Sequence, residues 1–228
     1  MQPTIIIPAL NEAESIGQVL KNIEGNFTAE ILVVDGGSKD GTVSIAEAAG
    51  ARVIIEKRPG YGMACAAGMH AARGDLLVFM DADGADDPGC LPQLVAPIEN
   101  GSAEMVLGSR LLGGVERGTM PWHQYMGNWL SARLIRGIYR LPITDLSPFR
   151  AVTRDALLGL QMQEMTYGWP TEMIVKAIRQ GWRIQEVPVR HHPRIAGKSK
   201  ISGTLRGTIL ATYYILSTIF KYSRRASN

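Results

Sequence analysis

Nine residues, Asp75-Leu76-Leu77-Val78-Phe79-Met80-Asp81-Ala82-Asp83, restrict the fold more than any other stretch of this chain. Five apolar residues follow one another without interruption, with Gly74 in front and two acids behind. A strand with one face in water alternates polar and apolar residues. An unbroken run fits a strand covered on both faces, as in a parallel sheet with helices above and below. The surrounding sequence keeps that alternation. Strands are expected at Thr4–Ile7, Ile31–Val34, Arg52–Ile55, Leu76–Met80 and Met105–Leu107, with helices at Ala13–Ile23, Thr42–Ala49, Tyr61–Ala72 and Cys90–Ile98. The prediction is an α/β fold with a mostly parallel, doubly wound central sheet.

Asp81 and Asp83 stand where the buried strand runs out, and ligands of open α/β sheets collect at the carboxyl ends of strands. If extended backbone persists that far, the i, i+2 spacing turns both carboxylates to one side. Two hard oxygen donors suit Mg²⁺ or Mn²⁺, which bind through one or two carboxylates plus substrate phosphates. The plainer alternative makes them turn and cap residues ahead of the helix that Pro88 begins. Pro8-Ala9-Leu10-Asn11-Glu12 leaves the first strand, and Asp35–Thr42 leaves the second, at the same expected sheet edge. Lys57–Gly62 opens a helix with glycines that suit a phosphate.

Beyond Arg110 the pattern loosens. Leu111–Met120 reads as loop, Trp122–Tyr139 as helix, Asp145–Val152 as strand and Trp169–Arg179 as helix. Ile184–Val189 carries Pro188 and reads as an edge strand. Arg194–Gly203 is a basic loop. Leu205–Tyr222 is a final amphipathic helix with Ile209, Tyr213, Leu216 and Phe220 on one face, read first as core packing and second as a membrane-lying face. A net charge of +3 is too small to argue for nucleic acid, but the cations gather late, pointing to an anionic ligand or a membrane surface. Cys65 and Cys90 form no metal or disulfide pattern and suit a reducing cytosol. There is no leader pattern, and Ile209–Phe220 is too short to span a bilayer. The expected location is cytoplasmic, free or peripheral on the cytoplasmic face of the membrane.

Several motifs occur together: PxxNE at Pro8–Glu12, the acidic turn at Asp35–Thr42, GxGxA at Gly60–Ala64, DAD at Asp81–Asp83, GSR at Gly108–Arg110 and RxxGxSK at Arg194–Lys200. This combination resembles the family 2 glycosyltransferases with the GT-A fold, and among them the dolichol-phosphate mannose and glucose synthase branch. A nicotinamide Rossmann fold is disfavoured, because no GxGxxG follows the first strand. The resemblance implies one GT-A domain over residues 1–228, Rossmann-like, with a nucleotide-sugar-binding half at 1–110. The acceptor half at 111–228 would carry the basic loop 191–203 and the C-terminal helix.

The donor implied is a UDP- or GDP-hexose. Pro8, Leu10 and Glu12 would line the nucleoside pocket, and Asp35 would hydrogen-bond the base or ribose. Asp81, Ala82 and Asp83 would meet the metal and diphosphate, Asp83 acting catalytically. Arg110, Arg194 and Lys200 would hold phosphates, Arg by a planar fork and Lys by a point charge. The departing diphosphate gathers negative charge, which a cation must meet. The loop carrying Arg194, Lys198 and Lys200 is expected to act as a lid.

A polyprenyl (dolichyl-type) phosphate is the leading acceptor and needs no general base. A hydroxyl acceptor needs one, and Glu172 is the candidate, with His123 second; the alternative for Glu172 is a first-turn acid complementing its helix dipole. Where members acting on polyprenyl phosphate often carry several Lys or Arg, this chain has Pro121-Trp122-His123-Gln124-Tyr125. The donor half matches the family pattern more closely than the acceptor half. A homodimer is compatible with the resemblance. Two other classes share the chemistry: a sugar nucleotidyltransferase and a non-catalytic sugar-nucleotide-binding module.

Overall fold

A computed structural model describes residues 1–115, 119–197 and 205–223, the side chains of the last segment from residue 207. Its strands are β1 (Pro3–Ala9), β2 (Glu30–Asp35), β3 (Arg52–Ile55), β4 (Leu76–Phe79), β5 (Met105–Ser109), β6 (Arg150–Thr153) and β7 (Ile184–Pro188). Its helices are α1 (Ile16–Asn26), α2 (Thr42–Ala48), α3 (Tyr61–Ala71), α4 (Leu91–Glu99), α5 (Arg110–Gly113), α6 (Trp122–Tyr139), α7 (Arg154–Gly159), α8 (Trp169–Arg179) and α9 (Leu205–Ser223). The seven strands form one sheet in the order β3-β2-β1-β4-β6-β5-β7. Only β6 runs against its neighbours, pairing antiparallel with both β4 and β5.

The apolar runs are explained by two cores. Ile5, Ile7, Leu76 and Val78 face α1 and α4, whereas Ile6, Leu77 and Phe79 face α3, α6 and α8. Each central strand is therefore buried on both sides, and no solvent face requires polar alternation. Gly68 of α3 shows how closely helix and sheet approach: a Cβ there would lie 2.4 Å from Ile6 Cγ2.

The topology decides where chemistry can gather. β1, β2, β4, β5 and β7 all end at one rim of the sheet. Because β6 is reversed, its beginning lies there too, with Arg150 opposite Phe79 and Leu107. The segment leading into β6 thus joins the strand-end loops at one place.

Three expectations change. The strand expected from Asp145 begins only at Arg150: Pro148 has no N–H to donate, and Asp145 is drawn out of line into a buried ion pair with Arg110. The loop expected from Leu111 starts instead with the short helix α5, capped by the Ser109 hydroxyl. Core packing is also the wrong assignment for most of the α9 stripe: Ile209, Tyr213 and Phe220 are exposed, and only Leu216 of the four packs, partly buried, against the core. The helix buries Ala211, Thr218, Ile219 and Tyr222 instead, a mixed set that seats it against α6 and α8.

Candidate functional site

After β4 the extended backbone does not persist. Ala82 and Asp83 already turn, and Gly84 takes φ +78°, a left-handed conformation open to glycine. Asp83 Oδ1 accepts from the Ala85 amide at 2.8 Å, closing the turn on itself. The turn nevertheless brings Asp81 and Asp83 to one chamber, the outcome that the strand spacing suggested by a different geometry. Asp86 is buried beside them, its Oδ2 3.4 Å from the Asp81 amide.

The segment after β7 lies across this acidic turn. His192 donates its amide to Ala85 O at 2.8 Å, and Ile195 donates to Asp83 O at 3.0 Å. Ile195 also covers Gly84, where a Cβ would meet its side chain at 2.4 Å. This places Arg194 2.6 Å from Asp83 Oδ2. Lys198 and Lys200, expected partners in the same basic loop, lie outside the described residues.

Like charges crowded under cover raise one another's pKa. Burial, then Asp83 and Asp86, push the Asp81 carboxyl well above the usual carboxylate range, against the pull of Arg194 and Arg110. Burial likewise raises Asp83, with Arg194 opposing and Asp86 reinforcing the rise.

A chamber of about 470 Å³ extends from these acids. Arg110, Arg194 and His191 share its acidic end. α6 contributes His123, Gln124, Asn128 and Ser131, and α9 contributes Thr208, Ala211, Thr212 and Ile215. Arg110 is held from behind: Asp145 takes its Nε and Nη2 in a two-pronged pair at 2.8 and 2.7 Å and also accepts its backbone amide. Glu186 in turn accepts the amides of Thr144 and Asp145.

Not every expected site residue reaches this chamber. Pro8, Leu10, Glu12 and Asp35 sit at the neighbouring strand ends, where Gly36 donates to Ala9 O and Glu12 donates to Thr42 Oγ1. Glu12 is near enough to raise Asp83 by its charge. Asp35 is buried, with its carboxylate accepting the Gly37 and Ser38 amides and the Ser38 hydroxyl. Ala82 is buried in the turn itself.

The helix N-terminus after Lys57–Gly62 is covered by the Met165 backbone, whose carbonyl accepts from Met63. A Cβ on Gly60, at φ +136°, would lie 2.3 Å from that same oxygen. This explains the glycines without a phosphate.

Glu172 lies outside the chamber, fully buried in the first turn of α8. Its carboxylate accepts from the Gln163 and Glu164 amides, the Tyr222 hydroxyl and Lys176. Burial alone would raise it, but those donors together hold it below its ordinary value. The geometry gives it an anchoring position rather than that of a base at the chamber.

Three residues were not assigned to the site from the sequence. His191 lines the chamber, its buried Nδ1 lacking a hydrogen-bond partner among the described residues and lying 3.7 Å from Asp86 Oδ1. The signal was present: it lies three residues beyond a strand ending at the rim. Asp145 was readable as an acid stranded in an apolar, proline-rich stretch. Arg150 is fully buried, donating to the carbonyls of Ser147, Pro148 and Pro170 and fixing both walls near the chamber. Burial lowers its guanidinium to about 10.

The acidic end fits a divalent cation. It offers repelling carboxylates and an imidazole nitrogen still lacking a hydrogen-bond partner, a donor set suited to Mg²⁺ or Mn²⁺. Among the described residues, no three of His, Cys, Asp and Glu enclose an ion by themselves. A cation here would complete its shell with water and ligand phosphates, as Mg²⁺ commonly does.

The comparisons agree with this architecture. A family model described as glycosyl transferase family 2 matches residues 4–159. A glycosyltransferase of Mycobacterium tuberculosis strain H37Rv is 42% identical over 209 residues, covering 91% of this chain and 93% of the relative. An undecaprenyl-phosphate mannosyltransferase of Micrococcus luteus is 33% identical, covering 91% and 90%. Among solved structures, glucosyl-3-phosphoglycerate synthase from Mycobacterium tuberculosis, in complex with Mn²⁺, UDP-glucose and phosphoglyceric acid, superposes with a TM-score of 0.77. It is 25% identical and covers 98% of this chain and 80% of that one. The expected GT-A class, with its mostly parallel sheet and C-terminal helix, is the fold found.

Proposed function

The chain belongs to glycosyl transferase family 2, and from that premise we propose that it is a metal-dependent, inverting hexosyltransferase using a UDP- or GDP-sugar and a polyprenyl phosphate acceptor. One observation carries the reading: the cluster Asp81, Asp83 and Asp86 beside Arg194 and Arg110, at one end of a chamber with no further acid among its described lining residues. Such a chamber offers cations and hydrogen-bond donors to anions at both ends of a transfer. An acceptor phosphate, already anionic, needs no proton removed, so the position of Glu172 outside the chamber is no obstacle. The similarity to an undecaprenyl-phosphate mannosyltransferase supports the same acceptor class.

In this reading an acceptor phosphate oxygen attacks the anomeric carbon in line. The bond from that carbon to the diphosphate breaks, its electron pair leaves with the nucleoside diphosphate, and the anomeric centre inverts. Asp81 and Asp83, with His191 close by, would hold the cation, which when bound supplies positive charge to the leaving diphosphate. Arg110 arrives pre-aimed, because Asp145 fixes its guanidinium and removes the cost of orienting it. Arg194 and Lys200 would add charge from the basic loop. Pro8, Leu10, Glu12 and Asp35 would border the nucleoside, the first three by shape and Asp35 by shaping the turn beside it. Both halves of the chain would serve this one catalytic unit, and a lipid acceptor would place it at a membrane surface, on the cytoplasmic side.

The test is direct. Purified protein with Mn²⁺, undecaprenyl phosphate and either UDP-glucose or GDP-mannose should release the nucleoside diphosphate and form a hexosyl lipid, and a chelator should stop it. Pyrophosphate release from a nucleoside triphosphate, or donor binding with no transfer and no donor hydrolysis, would overturn the assignment. Transfer only to a hydroxyl compound would remove the lipid phosphate and leave His123 as the nearest candidate base.

A further inference from the structure

The helices that wall the chamber have a second face. On α6, Trp122, Tyr125, Met126, Trp129 and Leu130 are exposed, Trp122 by 78%. Their spacing of i, i+3, i+4, i+7 and i+8 puts them in one stripe. On α9, which packs against α6, Ile209, Leu210, Tyr213 and Phe220 are exposed, Tyr213 by 64%. Exposed apolar residues scattered singly are ordinary, but a run of large ones on two adjoining helices is not.

The charged residues within these two helices have one sign. Neither α6 nor α9 contains an Asp or Glu, and after Glu186 the chain has eight Lys or Arg and no acid. Arg133, Arg136 and Arg140 are exposed on or just beyond α6, and the Arg133 guanidinium lies 5.6 Å from the Trp129 ring centroid.

From this we infer that the outer faces of α6 and α9 form one docking surface for an anionic lipid bilayer. Trp and Tyr rings suit the depth where headgroups meet acyl chains, and Arg side chains reach back from there to lipid phosphates. A second copy of the chain fits less well. A two-fold interface sets the same patch against itself, bringing Arg133, Arg136 and Arg140 toward their own counterparts with no carboxylate from either helix between them.

The inference deepens the lipid-acceptor reading and rests on it for its purpose. The inner residues Thr208, Ala211, Thr212 and Ile215 line the chamber while the outer ones would face lipid, so an acceptor would pass between these helices. No described helix is long and apolar enough to cross a membrane, so contact would be with one leaflet.

The experiment needs neither donor nor acceptor, so it can fail without the transferase assignment failing. The full chain is centrifuged with vesicles of phosphatidylcholine alone and of phosphatidylcholine with phosphatidylglycerol, both lacking polyprenyl phosphate. Wild type should sediment with the anionic vesicles, be released by salt, and shift its tryptophan emission to the blue on binding. The double variant Trp122→Glu, Tyr213→Glu, at two exposed positions outside the chamber, should lose binding by at least about tenfold with its melting curve unchanged. Should that variant fold poorly, Arg133→Gln with Arg136→Gln serves instead and should weaken binding to anionic vesicles. Wild type remaining in the supernatant, or variants binding as well as wild type, overturns the inference. So does light scattering that shows a dimer dissociated by the double variant with no vesicle binding, which would assign the surface to a second copy.

Discussion

The acidic turn after β4 and the first turn of α8 both bury carboxylates, and the chain treats them in opposite ways. Glu172 is surrounded by donors from four residues and is held below its ordinary value despite burial. Asp81 and Asp83 face one another, Asp86 and only part of the available positive charge, and both are pushed up. A saturated acid is built to stay as it is. An unsaturated cluster of like charges is the arrangement a bound cation would relieve, and that difference sets the two regions apart more than residue type or burial does.

The sharpest way to break this contrast is at Asp83. Asp83→Ala should lower sugar transfer by roughly a thousandfold, about 4 kcal/mol of transition-state stabilisation, with the melting temperature little changed because repulsion is relieved. Full turnover in that variant, measured with Mn²⁺ and donor, would remove the functional half of the comparison. On the saturated side, Asp145→Ala should cost about 3–5 kcal/mol of stability in denaturant titration, since it strands the Arg110 guanidinium in a buried position. A smaller loss, about 1–3 kcal/mol, is expected for Glu172→Gln, with kcat per folded molecule within a few-fold of wild type. A kcat reduced by two orders of magnitude at unchanged stability would return Glu172 to the role of base.

The last test uses pH. Glu172 has a depressed folded pKa, so its contribution is present above the ordinary carboxylate range and fades as pH falls through the folded value. The stability gap between wild type and Glu172→Gln should therefore be constant near neutrality and narrow below roughly pH 4. A gap that widened in acid would contradict the saturated environment.

The sheet was readable because its signals are local. Leu76–Phe79 announces a strand buried on both faces by composition alone, and turn residues punctuate the strands around it. The DAD acids were found by the same logic, though a turn rather than extended backbone aligns them. What stayed hidden depends on contacts between distant segments. Nothing near Asp145 says that Arg110, thirty-five positions earlier, will take it out of strand geometry. Glu172 has the sequence context of an exposed first-turn acid, and only the arrival of Tyr222 from α9 shows that it is enclosed. The face of α9 was misassigned for a related reason. The large residues mark one apolar stripe, but Ala211, Thr218, Ile219 and Tyr222 form the side that packs inward, and Tyr222 finds its partner on α8.

The reversal of β6 bears on how the chamber could be reshaped. Since that strand enters the rim instead of leaving it, the segment leading into it shares a chamber with the acidic turn after β4 while belonging to a different stretch of chain. Leu146 and Pro148 line the chamber from that stretch, so substitutions there would reshape the cavity without touching the register of β1, β2 or β4, whereas Asp145 is tied to Arg110.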